Sequence, residues 1–144
     1  MRISSKGRLA LLALCELSLS DEGKLITLST LSKKLACSKL YLEQVFAVLR
    51  RAELVLASKG AGGGYVLAKD AGSITAYEIL APIELSLFAP TEETSKEAVP
   101  HIETTLQNFV FTPLDRAVVE SLQSVTLAEL AEQARVAEGD MYYI

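Results

Sequence analysis

The side chains between Lys39 and Gly64 are the ones in this 144-residue chain best suited to meet a polyanion and read its bases. Arg50, Arg51 and Lys59 are cations of the kind that neutralise phosphates and supply affinity that falls with salt. Glu43 can accept a hydrogen bond from a cytosine amino group, and Gln44 can pair with adenine. Lys59 opens the run Lys59-Gly60-Ala61-Gly62-Gly63-Gly64. Its glycines permit positive φ and close approach to another backbone. A lysine on so thin a tip can sense a narrow minor groove.

Periodicity indicates which elements must hold these groups. Leu42, Val45, Phe46 and Leu49 recur at i, i+3, i+4, i+7 and predict one buried stripe of a helix over 39–51. Lys39, Glu43, Gln44, Ala47, Arg50 and Arg51 occupy the opposite face. Ser38 is a good N-cap for that helix. Ala36-Cys37-Ser38 forms a tight turn from a preceding helix capped by Thr27, with Leu28, Leu31 and Leu35 inward. Two helices joined in this way form a helix-turn-helix pattern. Leu54–Ala57 and Tyr65–Ala68 read as the strands of a hairpin whose tip is the glycine run. An earlier helix is expected from Ser4 or Ser5 to about Ser20. A later one follows the Thr75/Glu78 capping box, with Ile74 and Ile79 at the staple positions, and ends at Ala81-Pro82.

Beyond Pro82 the pattern loosens. Residues 82–100 read as a surface loop. A helical region follows from Pro100 to Gln123, and Pro113 either kinks it or sits in the first turn of a second helix capped by Thr112. Leu106, Val110, Leu114, Val118 and Leu122 line a stripe along it that has little else to cover it. Thr126 and Glu129 repeat the capping box for a last helix, expected to run to about Ala137 and stop at Gly139.

Composition narrows the classes of function. The net charge is −4, but residues 1–70 carry +5 and residues 71–144 carry −9. A basic front and an acidic rear suit one face for phosphates and another for something else. No apolar run approaches the ~20 residues of a membrane span. The stretch Leu9–Leu14 is too short for a secretion signal. Cys15 and Cys37 both lie in apolar helical contexts, which fits a reducing compartment and no disulfide framework. They read as small buried hydrophobes, with a thiol switch as the alternative. His101 is the sole histidine and cannot assemble a metal site alone. The triglycine lacks a Gly-Lys-Ser/Thr ending and leads into no helix, so it is not a nucleotide phosphate loop. No catalytic constellation is present, and an enzyme is not expected.

The chain resembles the bacterial winged-helix regulators of the IscR/BadM type, typified by the iron–sulphur cluster regulator. The resemblance rests on Met1-Arg-Ile-Ser-Ser-Lys-Gly-Arg8, Tyr41-Leu-Glu-Gln44, Leu49-Arg-Arg51, Gly60 with Gly62-Gly-Gly-Tyr65, and Thr126-Leu127. Positions 1–80 match closely, and the match is weak from 82 to about 114. It implies a dimeric transcription factor whose long C-terminal helices pair and whose wings flank the recognition helices. It places Tyr41, Glu43 and Gln44 at the recognition surface and Ser38 and Lys39 near phosphates. Arg2, Ser4 and Lys6 resemble the family's phosphate-contacting start. Lys59 stands where the family commonly has arginine, in or beside the minor groove. Leu9 replaces a usual aromatic, and Ala61 replaces the usual wing proline. Many such proteins hold an iron–sulphur cluster through three cysteines ahead of the long helix. Residues 82–112 contain none, so a member without cofactor or metal is expected.

The resulting expectation is a mainly α protein with a small β-hairpin. A winged helix-turn-helix domain spans 1–81, a linker and candidate effector region 82–100, and a helical dimerisation region 101–144. The expected partner is double-stranded DNA, read by a cytoplasmic homodimer, a repressor, on a pseudo-palindromic operator. The DNA-binding residues are Arg2, Ser4, Lys6, Ser38, Lys39, Tyr41, Glu43, Gln44, Arg50, Arg51, Lys59, Gly60, Gly62 and Gly63. The dimer stripe is Leu106, Val110, Leu114, Val118 and Leu122. Two alternatives use the same scaffold: a protein-docking adaptor, and a metabolite sensor with its ligand between wing domain and long helix.

Overall fold

The structure is a computed structural model that describes residues 2–141; Met1 of the opening motif and residues 142–144 of the C-terminal region lie outside the described residues. Helix α1 spans Ser5–Leu19, and the Ser4 hydroxyl caps it by accepting from the Gly7 N–H. Helix α2 spans Leu28–Lys34 and is capped by Thr27, while α3 spans Lys39–Arg51 and is capped by Ser38. Strand β1 (Val55–Ser58) pairs antiparallel with β2 (Gly64–Leu67), in the register Val55 to Leu67 and Ser58 to Gly64. A short 3-10 turn at Ala71–Ser73 leads to α4 (Ala76–Leu80).

The core lies where α1, α2, α3 and the hairpin converge. Leu14, Leu31, Leu42, Phe46, Leu49 and Val55 are buried there, and among the described residues no charged or polar side chain joins them. The predicted α3 stripe of Leu42, Val45, Phe46 and Leu49 is buried throughout. Of the expected α2 core residues, Leu28 and Leu31 are buried and Leu35 packs half-buried against the cluster.

Both helices of the helix-turn-helix end the same way. After α2, the Cys37 N–H donates to the Ser32 carbonyl and the Ala36 N–H to the Lys33 carbonyl. After α3, Leu54 donates to Leu49 and Glu53 to Arg50. These are paired Schellman closures, which place one residue in the left-handed region. That residue is usually glycine; here it is Ala36 (φ 52°) and Glu53 (φ 59°).

The second half departs from the sequence reading in four respects. Residues 82–100 are not all loop, since α5 occupies Leu85–Phe88. The Pro113 region is continuous helix rather than a capped restart: α6 (Pro100–Leu106) passes through a π-helical segment, Gln107–Phe111, into α7 (Thr112–Gln123). Thr112 has helical dihedrals and its hydroxyl accepts from the Gln107 amide, so it is not a cap. The π segment lies just before Pro113, where the proline ring would crowd the preceding turn of an α-helix. Helix α8 (Leu127–Met141) runs through Gly139 to the last described residue. Gly139 shows no positive φ and so does not terminate it.

The largest difference is where α8 lies. Its capping box is complete: Thr126 N–H donates to the Glu129 carboxylate at 2.8 Å, and Glu129 N–H donates to the Thr126 hydroxyl at 3.1 Å. At α4 only half of the box forms, because the Glu78 carboxylate pairs with Lys69 at 2.6 Å instead. The two helix starts are then joined. Ala76 N–H donates to Val125 O, and Leu127 N–H donates to Ile74 O. Helix α8 packs on α1, and Leu127 is fully buried in the core of the N-terminal half. The C-terminal region is therefore not separate, because its last helix completes the first domain's core.

Candidate nucleic-acid interface

Helix α3 presents the face that its period dictates. Lys39, Glu43, Gln44, Ala47, Arg50 and Arg51 are exposed, opposite the buried stripe. Tyr41 is half-buried against the core, so only part of its ring remains for a ligand. Ser38 is committed as the helix cap, its hydroxyl accepting from the Tyr41 N–H at 3.1 Å. Its own O–H hydrogen remains available to a phosphate oxygen.

The wing is fixed to this helix rather than merely adjacent to it. Tyr65 packs edge-on against Phe46 with ring centroids 4.7 Å apart. Tyr65 and Ile26 exchange backbone hydrogen bonds of 2.8 and 3.0 Å, which tie β2 to the segment entering α2. Gly64 makes this approach possible, since a Cβ there would lie 2.8 Å from the Ile26 backbone. Gly60 turns the tip with φ 104°, and its carbonyl accepts from the Gly63 N–H at 2.9 Å. Gly62 meets nothing within 4 Å and has no positive φ, so the fold does not require glycine there. Lys59, Gly60, Ala61 and Gly62 are all exposed at the tip.

The cations divide into two sets. Among the described residues, ion pairs engage Lys34 with Glu16, Lys69 with Glu78, Lys96 with Glu93, and Arg135 with Glu132. The other ten take part in none of these pairs and are all exposed; they include Arg2, Lys6, Lys39, Arg50, Arg51 and Lys59, with Arg8, Lys24, Lys33 and Arg116 besides. Lys6 and Arg51 border one shallow groove floored by Val45, Val48, Ala52, Pro82, Ile83 and Leu85. The start of α1 and the end of α3 thus lie side by side.

Ser4 has a different task from the one expected. Besides capping α1, its N–H and O–H both donate to Glu84 Oε1, at 2.8 and 2.6 Å. Its hydroxyl is therefore engaged within the chain, beside a carboxylate that repels phosphate. Leu40 is a residue that the sequence reading passed over. It is the second residue of α3, and 66 % of its surface is exposed. Its signal was its position off the buried stripe, on an otherwise polar face.

The C-terminal stripe is only partly as expected. Leu106, Val110 and Leu114 are exposed, joined by Ile102 and by Phe109, which is 80 % exposed. Val118 and Leu122 are half-buried, and Val118 faces a small groove shared with Leu87 and Phe88. A π turn takes more residues than an α turn, so the strict α-helical spacing of the expected stripe does not carry across Gln107–Phe111.

A capped recognition helix braced by a glycine-tipped hairpin is the fold of solved regulators. The structure of CymR, the global cysteine regulator of Bacillus subtilis, superposes with a TM-score of 0.74 at 33% identity, over 92% of this chain and 98% of that one. The structure of T. potens IscR gives 0.75 at 29% identity, over 99% and 97%. The helix-turn-helix-type transcriptional regulator IscR of Citrobacter koseri is 35% identical over 136 residues, 94% of this chain and 83% of its own. The Rrf2 profile, described as an iron-dependent transcriptional regulator, matches residues 3–133. The chain belongs to the Rrf2 family. It is a winged helix-turn-helix, DNA-binding transcriptional regulator of the IscR type, and its family consists of regulators rather than enzymes.

The iron in the family's description does not fit the donors of this Rrf2 chain. Clusters are anchored by several thiolates. Residues 82–112 have no cysteine, and the chain has two in all. Cys15 lies within α1 and Cys37 in the turn before α3, both half-buried. Among the described residues, no three His, Cys, Asp or Glu side chains converge in a way that could hold a metal ion.

Proposed function

We propose that this regulator is a homodimeric repressor that binds a pseudo-palindromic operator without an iron–sulphur cluster. Helix 39–51 enters the major groove and the wing 58–65 borders the minor groove. The observation that carries the reading is that Lys39, Arg50 and Arg51 of α3, Lys59 of the wing tip, and Arg2 and Lys6 at the start of α1 are all exposed and outside the ion pairs found among the described residues. Arg2, Lys6, Lys39, Arg50, Arg51 and Lys59 neutralise phosphates, and Gly60, Gly62 and Gly63 let the backbone of the tip approach the duplex. Glu43, Gln44 and the exposed edge of Tyr41 face the bases, and Ser38 offers its O–H to a phosphate. Dimerisation runs through Ile102, Leu106, Phe109, Val110 and Leu114. These exposed apolar residues line one helix, and a two-fold copy would cover them. No helix of the described residues is long and apolar enough to cross a membrane, and we place the protein with its DNA in the cytoplasm. The domain plan follows: 1–81 reads DNA, 82–100 is the candidate effector region, and the helix from residue 100 to 123 pairs the protomers.

The test is selection of genomic fragments by the purified protein beside Lys59→Ala. The wild type should enrich a two-fold-symmetric motif, and the variant should bind it with a salt slope lower by about one. Enrichment of no duplex at moderate salt would overturn the reading.

A second reading, a small-molecule effector acting on the DNA-binding unit, is favoured by the groove of about 480 Å³ between α1, α3 and residues 82–85. Because Lys6 and Arg51 border it, an organic anion held there would compete with phosphate. A saturable thermal shift with such an anion would support this reading.

A further inference from the structure

Leu40 is the large apolar side chain of α3 that stands exposed. Leu42, Val45, Phe46 and Leu49 are buried, whereas Leu40 is 66 % exposed. Leu40, Glu43, Gln44 and Ala47 stand at i, i+3, i+4 and i+7, so they share one face, and all four are exposed. The helix turn that carries Leu40 is firmly placed, by the Ser38 cap below it and by the fully buried Leu42 beside it. The opening turn of a recognition helix is the part that reaches base edges. Only one apolar group lines the major-groove edges of the four base pairs, the C5-methyl of thymine. Glu43 and Gln44, one turn further on, are chemically suited to amino-bearing edges. Leu40 has neither donor nor acceptor and matches only the methyl.

We propose that Leu40 is a specificity residue that reads a thymine methyl in each half-site, next to the bases met by Glu43 and Gln44. This rests on the DNA-reading function above. The contact removes the leucine side chain and the methyl from water together, and it favours thymine over cytosine, which lacks the methyl. It touches no phosphate, so it adds discrimination without adding salt dependence.

The test uses the operator recovered by selection, with each thymine replaced in turn by deoxyuridine, which removes only the methyl. The full-length wild type, Leu40→Ala and Leu40→Met are titrated by fluorescence anisotropy at fixed salt. The wild type should lose about fourfold in affinity at one thymine per half-site, and roughly fifteenfold when the symmetric pair is replaced. Leu40→Ala should bind thymine and uracil operators alike, with the wild-type salt slope and melting temperature. Leu40→Met, which keeps an apolar tip, should retain the methyl preference. Equal wild-type affinity for thymine and uracil at every position would overturn the proposal, as would an undiminished methyl preference in Leu40→Ala. Either result would leave the regulator reading standing, because the operator would still be bound. Failure to recover any operator would remove both.

Discussion

Glu43 stands exposed on the recognition face with no cation of its own chain in an ion pair with it among the described residues. A carboxylate so placed can accept from a cytosine amino group and repels the acceptor-rich edge of guanine. Glu43→Ala should relax base preference at one position in each half-site, by about 1–3 kcal/mol. Motifs selected by wild type and variant would be compared, and identical motifs would count against the role. Cys15 offers a second test at this scale. Burial first, and then the neighbouring Glu16 carboxylate, push its thiol pKa above the usual value. The thiolate is the reactive form, so Cys15 should alkylate more slowly at neutral pH in the folded protein than in the denatured chain. The rate should rise as pH is raised; equal rates at neutral pH would refute this. The outward face of α3 was legible in the sequence because a 3.6-residue period fixes which side chains face away from the core. The fate of Ser4 was not, because its partner Glu84 lies eighty positions away and nothing local announces it.

The element ends divide by the kind of signal they leave. Thr27, Ser38, Thr75 and Thr126 all cap as their side chains suggest, because an N-cap works through a nearby side-chain oxygen. The Schellman closures after α2 and α3 leave no such trace. Their usual marker is glycine, and here Ala36 and Glu53 hold the left-handed conformation. Each bears backbone strain of about 1 kcal/mol that glycine would relieve, partly offset by glycine's freedom in the unfolded chain. Ala36→Gly and Glu53→Gly should each leave the fold intact and raise the melting temperature by up to a few degrees. A clear loss of stability in both would show that the left-handed geometry is relaxed. The π segment was equally hidden, because proline in a helical pattern signals disruption without indicating whether a kink, a restart or a wider turn absorbs it.

The whole molecule is arranged as a basic reading head joined to an exposed apolar helix. Phe109 makes the largest apolar contribution to that helix's uncovered face, so a charge there tests the pairing of protomers. Phe109→Asp should sediment as a monomer with an unchanged far-ultraviolet spectrum. It should bind the operator far more weakly, because the second half-site no longer adds its affinity. A dimer that survives the change would remove this face from the interface. The apolar stripe of the later helix and the charge asymmetry between the halves were readable in the sequence. The return of α8 was not, because an amphipathic helix does not encode which partner it packs against.

That return governs how the protein is made. Part of the cover for α1 comes from α8, whose Leu127 is buried in the same core. A nascent chain with both helices of the DNA-reading motif already synthesised still lacks part of the lid over its own core. The reading head is therefore completed only once α8 has been made. A message cut short before α8 should yield a chain without a stable head, and so without a competitor for the operator.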